Sequence, residues 1–194
     1  MKMDFTYKKD DNRKLFKSLE ENPAFGILEP QNYIPLYNSY FSLTKSNYNA
    51  IMLNHKWKMH EVLGEESANI YKCQVKDTAE KKEKRKVFLK FSPLLDPIKY
   101  LLGKYDVTDT TLLNLPAFES TASHSKTRQY NNSAYVDSFF TYLSSKLLHD
   151  HGFLHGMDFY GSFLALKTDF RINIIDDIEY LNESGFFRKN DKIL

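Results

Sequence analysis

The sequence predicts an α+β fold, in which a small antiparallel sheet of about five strands carries one long helix on one face. Residues 57–75 read as two β segments around a short polar stretch at residues 64–69. Residues 87–91 alternate along the chain with the period of a strand. Residues 133–150 repeat apolar side chains at helical spacing. Strands before and after a single helix are typical of a helix packed on an antiparallel sheet.

Residues 1–58 are predicted to form an irregular leader. They contain one amphipathic segment, residues 13–19, and an aromatic run at residues 33–41. Pro30 and Pro35 would break a long helix here, because proline lacks the backbone N–H and clashes with the preceding turn. The folded domain is expected to follow this leader.

Two charged or loop-rich segments interrupt the predicted strands. Residues 76–86 are a charged run that reads as a solvated turn between the second and third strands. Residues 92–130 form an insertion too long for a passive linker. Three prolines lie in it: Pro93, Pro97 and Pro116. Within the insertion, residues 94–104 predict a short helix or a docking segment.

The long helix has recognisable start and stop signals. Asn132 is placed to cap its first turn, and Gly152 to end it in the left-handed conformation. Beyond the helix, residues 158–166 and 171–175 predict two further strands joined by a short turn. Residues 182–194 predict a polar tail.

Composition restricts the class of protein. The chain has 27 basic and 25 acidic residues, a net charge of +2, which gives no electrostatic reason to expect nucleic acid. A hydrophobic content of 42% argues against wholesale disorder. The single cysteine, Cys73, excludes an internal disulfide and fits a reducing compartment, so we expect a cytoplasmic protein. No segment has the length and apolarity of a signal peptide or a membrane span, so no membrane partner is expected.

Metal and nucleophile signals are weak. His149, His151 and His155 do not share one helix face, so we expect no metal site. Ser67 and Cys73 lack a histidine and an acid at a recognisable spacing, which leaves nucleophilic catalysis unsupported. The remaining candidate is Lys90, a cation in an apolar strand, which the alternation places on the same face as Phe88.

Residues 59–181 resemble the N-terminal lobe of protein kinases. The resemblance lies in Leu63-Gly64, in Ile70-Tyr71-Lys72 after a short polar loop, and in Lys90 on the strand that follows. It implies a divergent serine/threonine-kinase-like lobe that binds ATP with Mg²⁺.

The resemblance also assigns roles to individual residues. Gly64, Ser67 and Asn69 would stand in the loop over the phosphates, where Gly64 alone keeps the family's glycine. Lys90 would contact the phosphates, with Asp137 of the long helix as its partner acid. Residues 176–181 would form the hinge.

The catalytic half of a kinase has no counterpart in this sequence. No His-Arg-Asp loop and no Asp-Phe-Gly motif follows the expected hinge, so the chain is not expected to be catalytic alone. Either the C-terminal lobe belongs to a longer chain, or the lobe is a non-catalytic protein–protein interaction module. In the second case the leader and the insertion would dock onto a protein partner.

A second resemblance concerns the possible source. Residues 86–100 and 134–140 are similar to uncharacterised, kinase-like proteins of giant DNA viruses. This implies that the insertion belongs to the family and that the chain lacks a C-terminal part. It also implies a viral structural or host-interaction protein, located in the host cytoplasm or the virion.

Overall fold

The computed structural model describes residues 6–23 and 25–190, so residues 1–5 and 24 of the predicted leader and residues 191–194 of the predicted tail lie outside it. The strands are β1 (Lys8–Lys9), β2 (Ile27–Gln31), β3 (Ile51–Met52), β4 (Lys58–Ser67), β5 (Ile70–Lys76), β6 (Lys82–Phe88) and β7 (Leu164–Lys167). The α-helices are α1 (Arg13–Glu20), α2 (Pro97–Leu101), α3 (Ser125–Arg128), α4 (Ser133–His151), α5 (Ile178–Glu183) and α6 (Gly185–Asn190). Three 3₁₀ helices lie at Pro35–Ser39, Tyr48–Ala50 and Ile175–Asp177. The predicted α+β class is confirmed.

The strands are divided among three small antiparallel sheets rather than joined in one. The largest has the order β4-β5-β6, and the pairs β1-β3 and β2-β7 form the other two. The strands after α4 therefore do not extend the first sheet. Instead β7 pairs with β2, from the N-terminal part of the chain, because Ile27 lies opposite Lys167 in an antiparallel register.

The three-stranded sheet has two chemically distinct faces. Three register shifts on β4 keep its faces aligned with those of β5 and β6. What we call the inner face carries the rows Met59/Val75/Glu83, Val62/Cys73/Arg85 and Glu65/Tyr71/Val87. The outer face carries the rows Lys58/Lys76/Lys82, Glu61/Gln74/Lys84, Gly64/Lys72/Lys86 and Ser67/Ile70/Phe88. The apolar side chains of the inner face are buried in one of the two hydrophobic cores.

The prediction of a solvated turn over residues 76–86 was wrong for most of that run. Only residues 77–81 form the turn, and Lys82–Phe88 is strand β6, paired with β5 along its length. The alternation was hidden because charged side chains occupy both faces. On the inner face, Arg85 lays its guanidinium over the Trp57 ring, 4.4 Å from the centroid, so a charged residue serves as a packing residue.

The N-terminal residues are part of the folded core, which differs from the irregular leader that the sequence suggests. Helix α1 confirms the amphipathic segment at residues 13–19 and buries Leu15, Phe16 and Leu19 in the same core as the inner face. The prolines do prevent a long helix, since Pro35 begins a 3₁₀ helix instead. Because the apolar residues of α1 recur on one side of the helix, that side packs against β4 and joins the N-terminal region to the core.

Helix α4 confirms the prediction for residues 133–150. The side chain of Asn132 accepts a hydrogen bond from the backbone N–H of Ala134, and Gly152 ends the helix with φ of 68°. Inside the predicted insertion, α2 confirms the short helix within residues 94–104. Asn132 ties the insertion to α4, because its Nδ2 donates to the carbonyl of Leu94 at 2.8 Å.

The predictions beyond α4 are only partly correct. Within residues 158–166 the strand begins at Leu164, and residues 171–175 form no strand. The expected hinge at residues 176–181 is helical, spanning the end of a 3₁₀ helix and most of α5. Leu181 of α5 is fully buried, so this helix is anchored by apolar contact.

No helix in the described ranges, 6–23 and 25–190, combines the length and hydropathy needed to cross a bilayer.

Candidate functional site

Three of the predicted site residues lie on the β4–β5 hairpin, Ser67 and Asn69 at its tip and Gly64 further back along β4. Gly64 is on β4 opposite Lys72, and Ser67 ends β4 opposite Ile70. Asn69 adopts φ of 61°, which lets the chain reverse in a two-residue turn. The predicted polar loop is thus a tight hairpin turn, and nothing lies within 4 Å of the position that a Cβ on Gly64 would occupy.

The structure brings the other two predicted site residues into direct contact. Lys90 Nζ donates to Asp137 Oδ2 at 2.8 Å, across 47 positions of sequence. Lys90 lies two residues beyond the end of β6 rather than within the strand, so its side chain is directed by the loop and not by the sheet. Both side chains are more than half exposed, at 61% and 51%. A pair this exposed contributes little to stability, because water and salt screen it.

The hairpin tip and the ion pair are neighbours. The backbone N–H of Leu89 donates to the carbonyl of Asn69 at 2.9 Å, which places the turn beside Lys90. Gly64 lies further back along the hairpin, in the row of Lys72 and Lys86. The arrangement offers one cation and one turn to a ligand, and Asp137 already neutralises that cation.

Two clefts that open on the described surface lie elsewhere. The larger, of about 210 Å³, is lined by α1 and by Lys58, His60 and Lys76. The other, of about 110 Å³, shares Lys58 and Lys76 with it. Both are smaller than typical small-molecule pockets, which are roughly 300–1,000 Å³.

A polar network on the inner side of the sheet was not predicted from the sequence. Besides stacking on Trp57, Arg85 donates from Nη1 to the hydroxyl of Tyr160 at 3.1 Å and lies 3.8 Å from a carboxylate oxygen of Asp158. The hydrogen bond to Tyr160 raises the pKa of Arg85, and burial raises the pKa of Tyr160. The network therefore keeps its cation charged at any physiological pH.

The network continues into two histidines. His149 Nε2 and Asp158 Oδ1 are 2.9 Å apart, and the rings of His149 and His55 stack in parallel at 4.0 Å. Burial and the neighbouring His149 lower the pKa of His55, so its neutral form is favoured. Within the described residues, no group of three or more His, Cys, Asp or Glu side chains is arranged to hold a metal ion.

No sequence signal could have revealed these contacts. His55 and His149 stack across 94 positions (149 − 55), and Asp158 and Tyr160 lie 73 and 75 positions downstream of Arg85. The ion pair of Arg85 with Glu83 on the same strand, at 2.9 Å, is the local exception. Spacing rules detect only residues that share one helix or strand. The network arises from the packing of four separate segments.

The outward side of α4 is unusually apolar. Tyr135, Phe139 and Tyr142 face the second core, whereas Val136 and Phe140 point outward and are 47% and 70% exposed. A helix of a small soluble domain normally turns a polar side to water. This helix has apolar side chains on both sides.

Comparison with protein-family models, with curated proteins and with solved structures found no match to this chain. Its function is therefore inferred from the geometry of its own residues.

Proposed function

We propose that this chain is a non-catalytic protein–protein interaction module that docks a partner protein on the outward side of α4. The observation that carries the proposal is the exposure of Val136 and Phe140 on a helix whose opposite side is already buried in the core. Exposed large apolar side chains in a contiguous patch are typical of binding sites.

The loop after α4 extends this apolar strip. The backbone N–H of Met157 donates to the Ser144 hydroxyl at 3.3 Å, so the loop folds back along the helix one turn beyond Phe140. Met157 is 61% exposed there, and Leu154 in the same loop is exposed as well. From Val136 to Ser144 the helix rises by about 12 Å, which is long enough to receive two turns of a partner helix.

The Lys90–Asp137 pair lies at the edge of this strip, because Asp137 directly follows Val136. Interfaces commonly have an apolar centre and a polar rim. The pair would form part of such a rim, contributing to orientation more than to affinity. The partner that fits is a protein with an apolar helical face bordered by charged residues.

Site-specific photo-crosslinking tests this proposal. A benzophenone amino acid at position 140 should give one dominant crosslinked protein, and Phe140→Glu should prevent copurification of that protein. The matched control is the same amino acid at Leu113, which is 67% exposed in the insertion. Equal crosslinking from both positions would overturn the proposal. A crosslink to a second copy of this chain would identify that copy as the partner and the protein as a homodimer.

A second candidate function rests on the contact between Lys90 and Asp137. A lysine paired with a helix acid is the arrangement that positions a nucleotide in kinase-like lobes, and the resemblance of residues 59–181 points the same way. In that case the chain would bind Mg-ATP, and a catalytic lobe would come from a longer polypeptide or another protein.

Thermal unfolding with and without Mg-ATP separates the two candidates. At 100 times the dissociation constant, bound nucleotide should stabilise the wild type by about 2.7 kcal/mol. Lys90→Ala should abolish this gain, whereas Lys99→Ala, at another exposed lysine, should keep it. Absence of stabilisation in the wild type would leave the docking module as the function.

A further inference from the structure

The outer face of the three-stranded sheet concentrates positive charge. Six lysines occupy it: Lys58, Lys72, Lys76, Lys82, Lys84 and Lys86. One row consists of three directly opposed lysines, and another opposes two. In the row of three, Lys58 and Lys76 are only 15% and 16% exposed, whereas the other four lysines of the face are exposed. Like charges directly opposite one another destabilise a sheet. The folded protein tolerates this repulsion because the outer face contributes no side chains to the hydrophobic core formed by the inner face.

Carboxylates offset only part of this charge. Lys58 pairs with Asp10, Lys76 with Glu80, and Lys86 with Glu66. Glu66 also lies 4.0 Å from Lys72, and Glu61 occupies the outer face but pairs with Lys14 of α1. In residues 6–23 and 25–190, neither Lys82 nor Lys84 takes part in an ion pair.

Protection of a sheet edge explains only some of these lysines. Lysines on an edge strand discourage pairing with another chain, and β6 is such a strand in the order β4-β5-β6. Lys72 and Lys76, however, belong to the central strand β5, where no edge needs protection. Lys76 is 16% exposed and paired with Glu80, but Lys72 is 62% exposed and shares the single carboxylate of Glu66 with Lys86. The row of Lys72 and Lys86 therefore keeps a net positive charge that an anion outside the chain would balance.

The lysine rows end at an apolar platform. Phe88 and Ile70 are direct partners in the last row, and Phe88 is 64% exposed. Along β6 the side chains of the outer face recur about every 6.7 Å, which is similar to the separation of successive phosphates in an extended single strand. Lysines at this spacing would meet successive phosphates, and an exposed ring at the end would stack on a base.

We propose that the outer face binds single-stranded nucleic acid, with its four exposed lysines on the phosphates and Phe88 stacked on a base. A single strand fits better than a duplex, because only unpaired bases can reach Phe88. It also fits better than a membrane, because the apolar residues lie at one end of the face rather than across it. The near-neutral net charge gave no reason to expect nucleic acid. The register of the strands supplies that reason, because it gathers the lysines on one face.

Fluorescence anisotropy with a labelled 12-nucleotide oligothymidylate, at 50 mM salt, tests the proposal on the full chain. Lys82→Glu/Lys84→Glu should weaken binding at least about tenfold. It should also reduce the slope of log K against log salt by about 1.4, since each phosphate contact to a single strand contributes about 0.7. The control is Lys45→Glu/Lys126→Glu, which changes the net charge by the same amount at exposed sites outside the sheet. Its affinity for the oligonucleotide should lie within about twofold of the wild-type value.

A second variant isolates the stacking contact. Phe88→Ala should weaken oligothymidylate binding by about fivefold or more, because a stacked base is worth roughly 1–3 kcal/mol. It should leave binding to inorganic polyphosphate unchanged, since that polyanion has no bases. The proposal is overturned if wild type does not bind the oligonucleotide, if both double variants lose affinity equally, or if only phosphatidylserine vesicles bind.

Discussion

The two faces of the three-stranded sheet are built from alternate residues of the same strands, yet different forces act on them. Tyr71, Cys73 and Val75 of β5 are buried on the inner face, where they pack with α1. Lys72 and Lys76, between and beside them, meet other lysines on the outer face. Apolar burial on one side therefore holds a sheet whose other side repels itself. Stability resides on the inner face, which leaves the exposed lysines of the outer face available for binding.

The largest expected effect comes from the inner side of the sheet. Leu19→Ala should lower the free energy of unfolding by about 2–5 kcal/mol, because Leu19 is buried against the inner face through α1. Lys17→Ala, on the exposed side of the same helix, should change it by less than about 0.5 kcal/mol. Urea denaturation measures both. Similar values for the two variants would mean that α1 does not belong to the core.

The rate at which Cys73 reacts with a disulfide reagent tests whether the inner face is closed to solvent. The cysteine is fully buried, and burial raises the pKa of its thiol from 9.0 to about 11. The folded protein should react with a disulfide reagent at pH 8 at least about 100-fold more slowly than the urea-unfolded chain. Leu19→Ala should speed up the reaction. Rapid labelling of the native wild type would contradict a closed inner face.

On the outer side, His60 should make stability depend on pH. Burial, followed by the charges of Lys82, Lys14, Lys76 and Lys58, lowers the pKa of His60 below its ordinary value of 6.5. The unfolded state therefore takes up the proton first, and stability should fall as the pH drops from about 6.5 to the folded pKa. His60→Gln should flatten the curve of unfolding free energy against pH. An unchanged curve would assign the dependence to another group, such as His55.

The smallest expected effect is a gain. Lys82→Gln should stabilise the protein by about 0.2–0.5 kcal/mol at low salt, because it removes a charge opposite Lys76. The gain should disappear at 1 M salt, where the screening length is about 3 Å. Lys45→Gln, away from the sheet, should show no gain at either salt concentration. A loss of stability in Lys82→Gln would mean that the lysine rows do not repel each other.

Local patterns in the sequence predicted several elements well. Helix α4 was foreseen from apolar spacing, and the cap at Asn132 and the stop at Gly152 from residue type alone. For α1 the sequence predicted an amphipathic segment, but within an irregular leader. The β4–β5 hairpin was also foreseen. These features depend on residues within one or two turns of each other, so their physics is visible in a short window.

The predictions that were wrong concern features that depend on residues distant in the sequence. The third strand was predicted at residues 87–91, whereas β6 spans Lys82–Phe88. Its first part was missed because Lys82, Lys84 and Arg85 conceal the alternation, and the contact with Trp57 and the facing strand shows which side is inside. The partnership of β2 with β7 joins distant parts of the chain, which no local pattern encodes. The contact of Lys90 with Asp137 agrees with the pairing that the kinase resemblance suggests, whereas its role in binding stays a prediction.

The sequence by itself determined the α+β class, the ends of the long helix and the hairpin, because capping, turns and periodicity act over a few residues. Only the tertiary structure decided which faces are buried, that the N-terminal residues join the core, and that the lysines gather on one surface of a chain with a net charge of +2. Net charge is a sum, whereas electrostatic attraction depends on where the charges lie, and the pairing of distant strands sets those positions.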